Sequence, residues 1–242
     1  MNVHELDSTP DRSRTSVAGV VVAIALSVLA LTCLAALHVV SPEFSPAWRM
    51  VSEYGNGSNE WVLTLMFVSW GLSTLALAFA IRSEARGTLG RVGLGLLVVA
   101  GLGDIGGGLF DINHDPGHSI AGALGIVGLP AAAVMISIAL GRNQTWAAAK
   151  RLLLWTAHLT WISVVLLGLT FVVMVVTFVQ VQGSLPNEVP KSVPPGVVAL
   201  VGWTNRLLVL TYCAWVIAVA WQAIKIRAEG ATVGGEVAGA VS

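Results

Sequence analysis

Long apolar runs separated by short polar stretches set the pattern of this chain. Six stand out, at about Val17–Val40, Trp61–Ile81, Val92–Phe110, Ser119–Leu140, Leu152–Val181 and Val197–Ile226. Each is near or above the roughly 20 residues that a helix needs to cross a hydrocarbon layer about 30 Å thick. In lipid every backbone N–H and C=O must find its partner within the segment, so the runs are predicted as α-helices rather than open strands. The last two are long enough to predict tilt, or ends that extend beyond the bilayer. A secretory leader is set aside for the first run. Arg12 and Arg14 precede it, but a leader's apolar core spans only about 7–15 residues, and this run continues to His38 without a small-residue cleavage site. The predicted fold class is all-α, a polytopic transmembrane helix bundle of six spans. It is divided into a disordered N-terminal tail (1–16), a six-helix domain (17–226) and a disordered C-terminal tail (227–242).

The charged positions between the runs predict how the chain threads. Arg12 and Arg14, then Arg82, Arg86 and Arg91, then Arg142, Lys150 and Arg151, and finally Lys225 and Arg227 all fall on one side. These are ten of the 13 basic residues; only Arg49 and Lys191 fall on the other side, and Arg206 lies within the last span. The positive-inside rule then puts both termini in the cytoplasm, as an even number of spans requires. Trp48, Trp61 and Trp203 fall near the outer boundary and Trp146, Trp155 and Trp221 near the inner one, where amphipathic rings suit the headgroup zone. Trp70, Trp161 and Trp215 lie deeper, as packing residues. The two long outer connections, 41–60 and 182–196, are rich in Pro, Gly and Asn, which predicts turns rather than a further helix.

Composition narrows the class. Charged residues make up 11% of the 242, less than half of the roughly 25% usual in soluble domains. The spans leave no room for a separate soluble domain. The net charge is zero and the basic residues form no patch, so no nucleic-acid partner is expected. Cys33 and Cys213 lie inside apolar runs, where thiols pack, and indicate neither a disulfide framework nor a metal knuckle. The Ala/Val/Gly/Leu-heavy composition points to a bacterial protein, and the expected location is the plasma membrane.

Candidate chemistry gathers in the outer half. Glu53 lies in the first outer connection, and Asp104 about six residues, or roughly 9 Å, below the outer end of the third span. Asp111, His114, Asp115 and His118 occupy the short third connection and the start of the fourth span, and Arg206 enters the sixth from outside. Asp104 and Arg206 would each cost about 2.5–3.5 kcal/mol at a helix centre, so neither is expected to face lipid unpaired. Their similar depth and opposite sign predict an ion pair or a shared polar pocket between the third and sixth spans. The competing account is a packing salt bridge without a ligand.

The His/Asp connection also invites a metal reading, with Asp111, His114 and His118 as the residues that would hold one. Pro116 breaks the helical His-x3-His geometry: it suits the first turn of a helix with Asp115 as its N-cap, leaving His114 off the helix. No metal is therefore expected, and no cofactor is assigned. Gly103 and Gly107 in the third span have the small-xxx-small spacing that lets helices approach closely, and Gly122, Gly125 and Gly128 in the fourth read the same way. Walker loops, nucleophile elbows, HExxH helices and dinucleotide fingerprints are all lacking.

The outer segment S-E-Y-G-N-G-S-N-E-W, the run R-x-G-L-G-L-L-V-V-A-G-L-G-D, and G-L-F-D-I-N-H-D followed by G-H-S-I-A-G-A-L-G together resemble the six-helix membrane family called domain of unknown function 998. The resemblance covers roughly residues 20–225. It implies a multi-pass architecture and brings no established reaction. The family's Ser-acidic pair corresponds to Ser52 and Glu53, and its histidine opening the fourth helix to His118. Its acidic Phe-Pro-x-Asp-like turn corresponds to Phe110-Asp111-Ile112-Asn113, here without the proline.

The expectation is thus a multi-pass membrane protein with an outward-opening polar pocket, formed by Glu53, Asp104, Asp111, His118 and Arg206, that binds a small molecule or lipid headgroup. One rival is a membrane-embedded hydrolase using the carboxylates and His118 around a metal or water. Another is a structural or assembly protein whose polar residues only hold helices together. The sequence leaves oligomeric state open.

Overall fold

The computed structural model describes residues 12–110, 112–113, 116–185, 190 and 192–239, with backbone alone at 12–16 and 230–239. Six long helices carry the described chain: α1 Arg12–Val40, α2 Glu60–Ile81, α3 Gly87–Leu109, α4 Gly117–Gly141, α5 Lys150–Gln182 and α6 Val201–Gly239. No strand occurs among the described residues. All six helices are long and apolar enough to cross a membrane, and each corresponds to one of the apolar runs. The fold is an all-α transmembrane-type bundle. The backbone of α1 and α6 is helical from Arg12 and as far as Gly239, so helix continues past both ends of the apolar windows.

Consecutive helices pack on one another, and α6 returns to α1, closing a ring that α6 also braces against α2. Two faces follow from the connectivity. The distal face carries the α1–α2, α3–α4 and α5–α6 connections; the terminal face carries the other two connections and both helix termini. On the terminal face Arg227 of α6 pairs with Glu84 in the α2–α3 turn at 2.8 Å.

Glycines set how closely the central helices approach. A Cβ on Gly71 of α2 would collide with the carbonyl of Gly101 on α3. One on Gly103 would lie 2.8 Å from both Ala121 O and Gly125 N of α4. Backbone meets backbone there, which larger side chains would prevent. Gly122 departs from the expectation: a Cβ at that position meets nothing within 4 Å, so it faces open space rather than a neighbouring helix.

α5 is held differently. Its buried side chains are few: Leu153, Ala157, Thr160, Ser163 and Leu167. It is tied to α6 and the segment before it by hydroxyl rungs. Ser163 Oγ meets Thr211 Oγ1 at 3.0 Å, Thr170 Oγ1 meets Thr204 Oγ1 at 2.7 Å, and Val198 N donates to Thr177 Oγ1 at 3.1 Å. The α5 members are spaced seven residues apart, the interval that returns a side chain to the same helix face. Leu169, Val172 and Val176 face outward, toward the lipid in such a bundle.

Three sequence expectations need correction. The first long connection does contain a helical turn, a 3-10 helix at Val51–Asn56, and a second lies at Gln144–Ala149 before α5. Trp61, Trp155, Trp203 and Trp221 are exposed at the bundle surface, as belt residues should be, but Trp146 is buried. Trp161, expected to be packed, is exposed on the lipid-facing side of α5. Position within an apolar run gives a residue's depth along the bilayer, whereas the neighbouring helices decide which way it faces.

Candidate functional site

The distal loop is pinned to α6 before any site forms. Gly202 N donates to Ala47 O at 3.0 Å, and a side chain at Gly202 would strike the Pro46 carbonyl, so only glycine admits the loop this close. Asn205 Oδ1, one turn further along α6, accepts from Val51 N at 2.8 Å and so holds the first residue of the 3-10 helix. Glu53 Oε2 accepts from Met50 N at 2.6 Å while its other oxygen pairs with Arg49 at 2.8 Å. Arg49 also reaches Pro190 O at 3.0 Å, joining the first and last distal connections.

Arg206 is the centre of this arrangement, and its partners differ from those expected. Its Nε donates to His38 Nε2 at 2.7 Å, Nη1 to Arg49 O at 2.8 Å and Gly202 O at 2.9 Å, and Nη2 to Tyr54 Oη at 2.9 Å. His38 Nδ1 lies 2.7 Å from Leu34 O, a contact it makes as donor, so Nε2 is left to accept from the arginine. Tyr54 donates in turn to Phe44 O at 3.3 Å. Four of the five guanidinium donors are used on α1, the distal loop and α6 itself. The expected Asp104–Arg206 ion pair is not formed: the guanidinium is consumed by carbonyls, an imidazole and a phenol, and Asp104 Oδ2 has no hydrogen-bond partner among the described residues.

Asp104 instead looks into a cavity of about 380 Å³. The walls come from α2 (Phe67, Trp70), α3 (Gly103, Asp104, Gly107), α4 (His118, Gly122, Ile126), α6 (Asn205, Leu208, Val209) and the start of the 3-10 helix (Val51, Ser52). A second cavity of about 310 Å³ lies nearer the distal face, lined by Glu60, Thr64 and Asn113 among others. The two share Ser52, Gly107, Ile112 and His118 as lining residues. Polar groups therefore ring the outer chamber, and apolar and aromatic walls surround a carboxyl in the inner one. A built Cβ on Gly125 would collide with Asp104 Oδ1, so this glycine leaves room for the carboxyl between α3 and α4.

Trp70, which lines the same inner chamber, carries a second polar atom without a partner among the described residues. Trp70 Nε1 is buried and unbonded. The Trp70 ring lies 5.9 Å from Phe67, stacked, and 5.8 Å from Tyr212, edge-on. Tyr212 is itself explained by a proline. Pro130 inside α4 has no N–H to give the carbonyl four residues earlier, and that carbonyl, Ile126 O, accepts from Tyr212 Oη at 2.5 Å.

Of the residues expected to form the pocket, Asp104 and His118 line one cavity. Glu53 and Arg206 line neither chamber and serve the distal scaffold instead. Asp111 lies outside the described residues, as do His114 and Asp115. His118 Nδ1 lies 3.2 Å from Phe110 O. Among the described residues no three His, Cys, Asp or Glu side chains cluster as metal ligands would. Pro116 occupies the N-cap position itself, one place before the first turn where it was expected. Sequence reasoning assigned Trp70 only to packing and passed over Tyr212 and Pro130. A proline in the middle of an apolar run was the available signal, because it obliges some donor to serve the freed carbonyl.

An all-α bundle of six membrane-type helices with an internal chamber is the class that fold and site define. A family model described as "Protein of unknown function (DUF998)" matches residues 18–222, and the chain belongs to that family. No curated protein and no solved structure matches it.

Proposed function

We propose that this chain is a ligand-binding protein of the bacterial plasma membrane, whose inner chamber opens toward the outside and takes a small molecule or lipid headgroup. The observation that carries this reading is the pair of polar atoms without a partner among the described residues, Asp104 Oδ2 and Trp70 Nε1, on residues lining one cavity. Burying a polar group without a partner costs about 1–3 kcal/mol, and more for a charged one. Two such groups on a single chamber are accounted for by an occupant that bonds to both. The volume, about 380 Å³, falls in the range of small-molecule pockets, roughly 300–1,000 Å³.

The packing-only alternative has its best support at Arg206, whose partners are all structural, but it leaves the chamber unexplained. The hydrolase alternative needs a carboxylate and an imidazole acting on one point. Asp104 and His118 share the cavity, and the hydrolase reading would require both to reach one reacting atom.

Gly122 supplies a test, because a side chain there enters open space on the chamber wall. Protein extracted from its native membrane in mild detergent should carry a bound species by native mass spectrometry, and Gly122→Leu should lose it while still accumulating. An identical bound population in both proteins would remove the reading.

A further inference from the structure

The chamber's chemistry specifies one class of occupant. We infer that the inner cavity is a binding site for an amphipathic organic cation, with Asp104 as counter-ion to an ammonium group and the Phe67–Trp70 wall against its apolar body. This rests on the pocket reading above and narrows it to a ligand class.

Asp104 is 4% exposed, and its Oδ2 has no partner among the described residues. Arg206, the cation expected at similar depth, spends four of its five donors on His38, Tyr54 and two carbonyls. Among the described residues no Lys or Arg lines the chamber. A buried carboxylate needs an opposite charge or several donors to hold its negative form, and the polar side chains on this wall leave Asp104 Oδ2 unbonded among the described residues. In this proposal the occupant is the group that brings the positive charge.

The remaining walls select the kind of cation. A hard metal ion asks for about six oxygen ligands, whereas here Phe67, Trp70, Ile126, Leu208 and Val209 present carbon surface, and no metal-type cluster exists among the described residues. Aromatic faces beside a carboxylate favour ammonium groups carried on an apolar body. The unpartnered Trp70 Nε1–H adds a donor for an acceptor atom elsewhere on the same ligand. Such chemistry is shared by free alkyl or aralkyl amines and by an aminolipid headgroup.

The test uses the full chain in detergent and two probes of matched shape, benzylamine and benzyl alcohol, measured by calorimetry at neutral pH. Benzylamine is expected to bind about tenfold or more tightly than the alcohol, a difference of about 1.4 kcal/mol. Asp104→Asn, which keeps the side chain's shape, should abolish that preference. Comparing the two probes on the unaltered protein keeps the test decisive if the variant does not accumulate.

A second arm offers phosphatidylethanolamine and phosphatidylglycerol in native mass spectrometry. Preference for the former, lost in Asp104→Asn, identifies the headgroup as the source. Amine selectivity without lipid preference identifies a soluble amine. Equal binding of the two probes together with equal retention of the two lipids overturns the cation assignment, as does the absence of all binding. In the equal-binding case Gly122→Leu separates the two readings. If it removes benzyl alcohol binding, the pocket stands and only the ligand class falls; if every probe binds unchanged, the pocket falls too.

Discussion

Arg206 shows how a buried charge is held without an opposite charge. Its guanidinium satisfies His38, Tyr54 and the carbonyls of Arg49 and Gly202, drawing α1, the distal loop and α6 together. Hydrogen bonds to charged groups are worth about 1.5–3 kcal/mol each, so Arg206→Met should cost on the order of 3 kcal/mol and reduce accumulation in the membrane. Asp104 takes no part in this network. Exchanging the two residues, Asp104→Arg with Arg206→Asp, should therefore give no rescue over the single variants. Recovery of wild-type thermal stability by the exchange, measured in detergent, would show that the two charges do meet. From sequence their depth and sign were legible; the direction of each side chain around its helix was not, because that depends on which neighbour each helix face meets.

At the scale of the element, α4 carries a proline that its own backbone cannot accommodate alone. Pro130 withdraws the donor for Ile126 O, and Tyr212 of α6 replaces it at 2.5 Å. Interhelical hydrogen bonds in membranes average about 0.6 kcal/mol, with model peptides at about 1–2. Tyr212→Phe should lower stability by about 1 kcal/mol. Adding Pro130→Ala restores an N–H to α4 and should recover most of that loss, whereas on its own it should have the smaller effect. Additive losses in thermal unfolding of the double variant would refute this account. The glycines divide in the same way by surroundings: Gly103 on α3 meets the α4 backbone as well as lining the chamber, Gly125 on α4 leaves room for the Asp104 carboxyl, and Gly122 on α4 faces only the chamber's open space. Spacing alone could not distinguish a packing glycine from a cavity glycine, since both serve by lacking a side chain.

Across the whole molecule, ring closure by α6 onto α1 and its contact with α2 create a chamber from helices distant in sequence. Of the polar residues grouped from sequence, Asp104 and His118 line it, whereas Glu53 and Arg206 hold the distal loop. The threading proposed from basic residues puts the distal face outside and both termini in the cytoplasm. Alkaline phosphatase fused after residue 185 should be active, and the same reporter fused at the C-terminus inactive. The opposite pattern would turn the chamber toward the cytoplasm.

The number of helices, their approximate limits and their suitability for lipid were all settled by the sequence, because the preference for hydrocarbon is local and additive over about 20 residues. The partners of Arg206, the separation of Asp104 from it and the donor for Ile126 O were decided only by tertiary structure. Each depends on how helices rotate and pack against one another, and uniformly apolar segments carry little periodic signal to announce that rotation.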